Sequence, residues 1–82
     1  RGNIMKIIGL YDSMLQVYVQ NTIDILVDLD FEAQAMHYLD YPAYTENLLP
    51  VFLIEKYNKP GYYLIGKFDT ETIINWATES QQ

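Results

Sequence analysis

The pattern of hydrophobic and polar residues begins with a buried strand and an amphipathic helix. The apolar run from Met5 to Leu10 is short and rich in isoleucine, which is typical of a strand inside a sheet. Ser13 and Gln16 have the spacing of a capping box, which predicts a helix that starts here. Polar residues recur at every fourth position from Gln16 to Asp28, and the apolar residues between them predict a buried stripe of Leu15, Val19, Ile23, Leu26 and Val27.

The next segments predict a second and a third strand with a loop between them. Ala33 to Leu39 alternates well enough for a strand, although residues 31–37 also fit a continuation of the helix. The loop over residues 40–47 is polar, contains Tyr41-Pro42 and has room for at most one helical turn. Leu49 to Glu55 then predicts a third strand that is buried.

The last part of the chain predicts a hairpin and a final helix. In the run Tyr57-Asn58-Lys59-Pro60-Gly61, proline presets φ for the second turn position and glycine accepts a positive φ at the third. The turn is therefore predicted at Pro60-Gly61, and Tyr62 to Ile65 is the returning strand. Asp69 is the predicted cap of a helix from Thr70 to Glu79, whose buried side is Ile73, Ile74, Trp76 and Ala77.

Together these elements predict one small α/β domain over residues 5–80. The first helix links two strands that are expected to be parallel through a right-handed crossover, and the hairpin adds an antiparallel pair. We therefore predict a mixed four-stranded sheet with two main helices and with helices on both faces. Residues 1–4 are interpreted as a flexible N-terminus or as a remnant in front of a native start at Met5.

The composition excludes several kinds of site. The chain of 82 residues has no cysteine and a single histidine, which excludes disulfides, thiolate metal sites and histidine-rich metal sites, and no cofactor is expected. A formal net charge of −6 argues against direct binding of nucleic acid, which needs lysine and arginine. No apolar stretch approaches the roughly 20 residues that span a bilayer, so no membrane contact is expected. We expect a cytoplasmic protein, or one of the host cytoplasm if the source is viral.

The order of elements in so short a chain resembles the minimal thioredoxin fold in the form that glutaredoxins have. The likeness extends from about Met5 to Glu79 and is strongest at Leu49-Pro50-Val51, where the family has a cis-proline that exposes its neighbour's backbone to an extended substrate. Gly66-Lys67-Phe68-Asp69 is similar to the glutaredoxin glycine pair and helix cap, with lysine in place of the second glycine. Tyr11-Asp12-Ser13, with Phe31-Glu32 later, is similar to the glutaredoxins of large tailed phages.

The chain departs from this family at the redox motif. The resemblance implies a cysteine at the start of the first helix, where this chain has Ser13-Met14-Leu15-Gln16 or, in a later register, Gln16-Val17-Tyr18-Val19. Neither segment has a thiol, so thiol–disulfide exchange is chemically impossible and no catalytic residue is assigned. Ser13 is interpreted as a helix cap, because no base that could activate its hydroxyl is evident nearby.

We therefore expect a redox-inactive interaction module rather than an enzyme. Its partner would be a protein, and the chain itself a monomer or a weak homodimer. The predicted binding residues surround the proline and the start of the first helix: Ser13, Gln16, Tyr18, Tyr41, Leu49, Pro50, Gly66, Lys67 and Asp69. Two alternatives stay open. The net charge suggests an acidic inhibitor that mimics nucleic acid in a basic protein site, and the resemblance implies a non-catalytic binder of glutathione or another peptide.

Overall fold

The computed structural model describes residues 5–80, so the interpretation of residues 1–4 lies outside the described part of the chain. Within this range, no helix has the length and apolar character needed to cross a membrane. The elements, in chain order, are β1 (Met5–Tyr11), α1 (Gln16–Asp28), β2 (Ala33–His37), a 3₁₀ turn (Tyr38–Asp40), β3 (Val51–Lys56), β4 (Lys59–Ile65) and α2 (Thr70–Ser80).

The strands form one mixed four-stranded sheet in the order β2-β1-β3-β4, as predicted. β1 is parallel to β2, with Gly9 opposite Ala35, and α1 makes the crossover between them. β3 is antiparallel to both of its neighbours. Residues 33–37 are thus a strand and not a continuation of α1, because their backbone groups pair with the inner strand β1.

Both main helices pack on the same face of the sheet, so the prediction of helices on both faces is wrong. Their shared core consists of Ile7, Val19, Ile23, Leu26, Phe52, Ile54, Ile73 and Ala77. The opposite face presents Ile8, Leu10, Val51 and Leu53, and the rings of Tyr41 and Tyr44 cover it. These tyrosines come from the segment between the 3₁₀ turn and β3, which forms no α-helix and covers this face of the sheet with its side chains.

The start of α1 differs from the predicted capping box. The backbone N–H groups of Met14 and Leu15 donate to Asp12 Oδ1 at 3.0 and 3.1 Å, whereas Ser13 is exposed and α1 begins only at Gln16. The Asp12 carboxylate reaches these donors first, because aspartate readily bonds to backbone N–H groups two or three residues ahead.

The predicted buried stripe of α1 is correct at Val19, Ile23 and Leu26 but wrong at Val27, which is 47% exposed. Residues on a helix are separated by about 100° in projection, which places Val27 about 90° from the centre of the buried face. Thr22 takes the buried position on the other side of that face, and its hydroxyl donates to the Tyr18 carbonyl oxygen at 3.0 Å.

The hairpin turn lies at Tyr57-Asn58 and not at Pro60-Gly61 as predicted. Both turn residues have positive φ, 55° and 63°, and Lys56 pairs directly with Lys59. A two-residue turn of this kind has the twist that matches paired strands, and asparagine tolerates the left-handed conformation. Pro60 lies inside β4, which tolerates proline because it is an edge strand with one side unpaired.

Candidate binding surface at the Pro50 end of the sheet

Strand register brings three separate segments to one end of the sheet. Leu10 near the end of β1 pairs with Val51, and Val51 pairs with Ile65 at the end of β4. The segment that leads into α1, the residues before Val51 and the residues after Ile65 therefore meet at this end. We call residues 13–18, 48–50 and 65–69 together the Pro50 surface.

Hydrogen bonds hold the segments of the Pro50 surface together. The Gly66 N–H donates to the Pro50 carbonyl oxygen at 2.9 Å, and the Tyr18 hydroxyl donates to the Phe68 carbonyl oxygen at 2.7 Å. Lys67 Nζ lies 5.2 Å from the centre of the Tyr18 ring, a cation–π contact. The Leu49–Pro50 peptide is cis, as the family resemblance implies. Four of the predicted binding residues are therefore connected directly: Tyr18, Pro50, Gly66 and Lys67.

Tyr18 joins α1 to the loop after β4, and it is an apolar as well as a polar contact. Its ring packs edge-on against Phe52 with ring centres 6.3 Å apart. Burial raises the pKa of Tyr18 above its ordinary value, and the bond to Phe68 only partly offsets this effect. The phenol therefore stays protonated at neutral pH, and its proton is committed to the Phe68 carbonyl oxygen.

Asp69 caps α2, as the sequence predicts. Its carboxylate accepts the Thr72 N–H at 2.9 Å, and the hydrogen bonds from Thr72 lower the pKa of Asp69. The side chain is exposed, so its remaining lone pairs face solvent beside the Pro50 surface. Gly66 has a φ of +124°, a conformation that side chains rarely adopt, which explains why glycine occupies the position before Lys67.

The backbone of Leu49 has no hydrogen-bond partner among residues 5–80. Leu48 accepts a hydrogen bond from the Tyr44 hydroxyl at 3.0 Å, and Pro50 accepts the bond from Gly66, but among residues 5–80 no group bonds to the N–H or C=O of Leu49. Its side chain is half-buried. An extended segment laid beside Leu49 could therefore bond to both of its backbone groups without displacing a bond already made.

Exposed apolar side chains lie on the three segments of the Pro50 surface. At the start of α1, Met14 is 92% exposed and Val17 is 72% exposed. Leu48, Ile65 and Phe68 are each at least 40% exposed on the adjoining segments. None of these apolar residues is among the binding residues that the sequence predicts. Periodicity gives a signal only for Val17, which lies outside the predicted buried stripe of α1, and Met14 precedes the helix.

The remaining predicted residues lie in different places. Ser13 and Gln16 are exposed at the α1 end of the Pro50 surface. Tyr41 lies on the opposite sheet face and is 8% exposed, and its hydroxyl donates to Glu55 Oε2 at 2.8 Å. Burial and this bond to Glu55 raise the pKa of Tyr41 well above its ordinary value. The structure thus does not bring Tyr41 to the Pro50 surface. No three His, Asp or Glu side chains within residues 5–80 cluster in a way that could hold a metal ion.

Comparison with known proteins relates the architecture to solved structures only. No protein-family model matches the chain, and no curated protein matches its sequence. A mutant thioredoxin from Halobacterium salinarum NRC-1 superposes with a TM-score of 0.72 over 90% of this chain and 72% of that one, at 11% identity. This chain has a thioredoxin-like fold. Thioredoxin 1 from Thermosipho africanus TCF52B superposes with a TM-score of 0.56 over 94% of this chain and 99% of its own length, at 14% identity.

The thioredoxin-like domain has no cysteine anywhere in its sequence. Thiol–disulfide exchange needs an attacking thiolate, so the domain cannot perform it with its own side chains. Within residues 5–80, the Pro50 surface combines the unbonded backbone groups of Leu49, exposed apolar side chains and a lysine over an aromatic ring.

Proposed function

We propose that this chain is a redox-inactive thioredoxin-like module that binds an extended segment of a protein partner on the Pro50 surface. The observation that carries the proposal is the unpaired backbone of Leu49. The proposal includes no catalytic step, and it assigns the chain a monomeric or weakly dimeric state.

The chemistry of the surface supports a peptide ligand over a small polar one. The partner's backbone would bond to the N–H and C=O of Leu49, as an added strand bonds to a free edge. Its side chains would cover Met14, Val17 and Phe68, whose exposed apolar area contributes about 25 cal/mol per Å² when buried. Lys67 and Asp69, both exposed, would contact polar groups at the rim of the same surface.

Val17 and Val27 provide a matched pair of variants for the test. Both are exposed valines on α1, 72% and 47%, but only Val17 lies on the Pro50 surface. Peptides are first selected for binding to the wild-type domain from a random display library. Their affinity is then measured for Val17→Glu and Val27→Glu, and the contact amides are mapped by NMR chemical-shift changes.

We expect Val17→Glu to weaken the selected peptides by at least about tenfold, because a carboxylate replaces buried apolar contact. Val27→Glu should bind within about twofold of wild type, since the same charge is added away from the surface. The amides of Leu49 and Gly66 should shift on binding. Equal losses in the two variants, or shifts confined to another face, would contradict the proposal.

The acidic end of α1 supports a second candidate function, an acidic inhibitor that mimics nucleic acid. Asp24, Asp28, Asp30 and Glu32 are all exposed, and no lysine within residues 5–80 pairs with them. An interaction carried by these carboxylates would weaken steeply with salt, in the manner of phosphate-driven binding. Its test is partner affinity at low and high salt, and a salt-independent affinity that Val17→Glu abolishes would favour the peptide-binding module instead.

Binding of glutathione without catalysis is a third proposal for the same surface, supported by the free Leu49 backbone and the exposed Asp69 carboxylate. Calorimetry with millimolar glutathione tests it directly. A binding heat that saturates with wild type and is absent with Val17→Glu would support the proposal, and the absence of binding heat with wild type would contradict it.

A further inference from the structure

A pocket lies at the opposite end of the sheet, beside the hairpin that joins β3 and β4. Its volume is about 220 Å³. Its lining is mainly apolar and includes Ile54, Pro60 and Tyr62, and the adjacent pair Lys56 and Lys59 also lines it. Because Lys56 pairs with Lys59 while Val51 pairs with Ile65, the length of the two strands separates this pocket from the Pro50 surface.

The two lysines of this pocket have no ion-pair partner among residues 5–80. They face each other across the strand pair, and like charges in that position repel. Within residues 5–80 no carboxylate lies within 4.0 Å of either ammonium group, whereas Lys6 pairs with Glu55 at 3.9 Å. In a chain with a net charge of −6, the described residues thus place two cations without a carboxylate partner beside one mainly apolar pocket.

We propose that this pocket binds a small free carboxylate with an aromatic or short aliphatic body. The carboxylate would lie between the ammonium groups of Lys56 and Lys59 and relieve their mutual repulsion. The body would pack against Ile54, Pro60 and Tyr62. A cavity of about 150 Å³ is sufficient for benzene in another protein, so 220 Å³ accommodates one ring with a short side chain.

The first test compares an acid with its neutral amide on the wild-type chain. 3-Phenylpropionate and 3-phenylpropanamide have the same body and differ only in charge. NMR titration with the acid should shift the amides of Ile54, Gly61 and Tyr62 and give a dissociation constant on the order of 1 mM. The amide should bind roughly tenfold more weakly, since it loses the charge-assisted bonds.

The second test removes single charges. Lys56→Gln and Lys59→Gln should each weaken 3-phenylpropionate by roughly tenfold. Lys6→Gln is the matched control, because it changes the net charge equally. Lys6 pairs with Glu55, and both side chains lie on the face of the sheet away from the pocket. The affinity of Lys6→Gln for 3-phenylpropionate should therefore stay within about twofold of wild type.

Three results would overturn the carboxylate site. The first is equal affinity for acid and amide, which would indicate an apolar cleft without charge recognition. The second is an equal loss in Lys6→Gln, which would indicate general attraction of anions. The third is a set of shifted amides confined to the Pro50 surface, which would place the ligand at the other end of the sheet.

Discussion

Gly9 lies in the centre of β1, where the absence of a side chain lets α1 pack directly on the sheet. A Cβ atom at this position would lie 2.8 Å from Val19 Cγ1 and 3.1 Å from both Ile23 Cδ1 and Phe52 Cε1. Carbon atoms in contact are normally about 3.5–4.0 Å apart, so Gly9→Ala requires Val19 to move by about 0.7 Å or more. Val19 is fully buried and its branched side chain has one preferred helix rotamer, so the backbone of α1 must share the movement.

We expect Gly9→Ala to lower the free energy of unfolding by about 1–2 kcal/mol. Overpacking of a well-filled core typically costs about 1–3 kcal/mol. The loss of glycine's freedom in the unfolded chain offsets about 0.4–1 kcal/mol of that cost. The assay is urea denaturation followed by the fluorescence of Trp76, the single tryptophan, which packs against the core of α1, α2 and the sheet.

Val19→Ala provides the matched control, because it removes the methyl groups that Gly9→Ala would meet. The double variant should be destabilised by at least about 1 kcal/mol less than the sum of the two single variants. Gly9→Ala that stabilises the protein, or single effects that simply add, would refute the close packing of α1 on Gly9.

Three further predictions concern hydrogen-bonding side chains. Asp12→Ala should lower the free energy of unfolding, measured by urea denaturation, by about 1 kcal/mol, because Asp12 accepts two backbone N–H groups before α1. Ser13→Ala should lower it much less. A larger effect of Ser13→Ala would support the predicted capping box instead. Tyr41→Phe should cost about 1 kcal/mol at neutral pH through loss of the bond to Glu55. Folding raises the pKa of Tyr41 from 10.0, so the hydroxyl contributes its full stabilisation below pH 10.0 and loses it as the pH rises further. The free energies of unfolding of wild type and Tyr41→Phe should therefore differ at about pH 8 and converge by about pH 11. Asp69→Ala should lower the thermal midpoint of unfolding, because it removes the cap of α2. Folding lowers the pKa of Asp69 from 3.8, so the difference in midpoint should be present above pH 3.8 and shrink as the pH falls below it. A difference that stays constant with pH would contradict the cap.

Local sequence patterns predicted an element correctly where its formation depends only on residues close in sequence. The isoleucine-rich run of β1 and the Asp69 cap of α2 were both recognised correctly, because burial and capping depend on residues close in sequence. The capping box at Ser13 failed because the Asp12 carboxylate accepts the Met14 and Leu15 N–H groups, which forms a turn over residues 13–15 and starts α1 only at Gln16. The hairpin failed because pairing along β3 and β4 decides the turn, and that pairing selects Tyr57-Asn58 over Pro60-Gly61.

The candidate binding surface was predicted only in part. The resemblance to glutaredoxins predicted Pro50 and Gly66 as binding residues, and a backbone hydrogen bond of 2.9 Å connects them. Val17 was not named among the candidate residues, because an apolar residue on a helix is ordinarily assigned to the core until its neighbours are known. Tyr41 was named but is covered on the other face of the sheet, which residue spacing in a loop does not reveal.

By itself, the sequence determined that thiol chemistry is absent and predicted most of the strands and helices, and the crossover rule extended this to a mixed sheet. Periodicity and residue type decide single elements over short stretches of chain, although residues 31–37 fitted both a strand and a helix. Only the tertiary structure decided that both helices share one face, that Leu49 keeps its backbone groups free and that Lys56 and Lys59 flank one pocket. Periodicity shows that a face is buried, but strand register and packing over long sequence separations determine what lies against it.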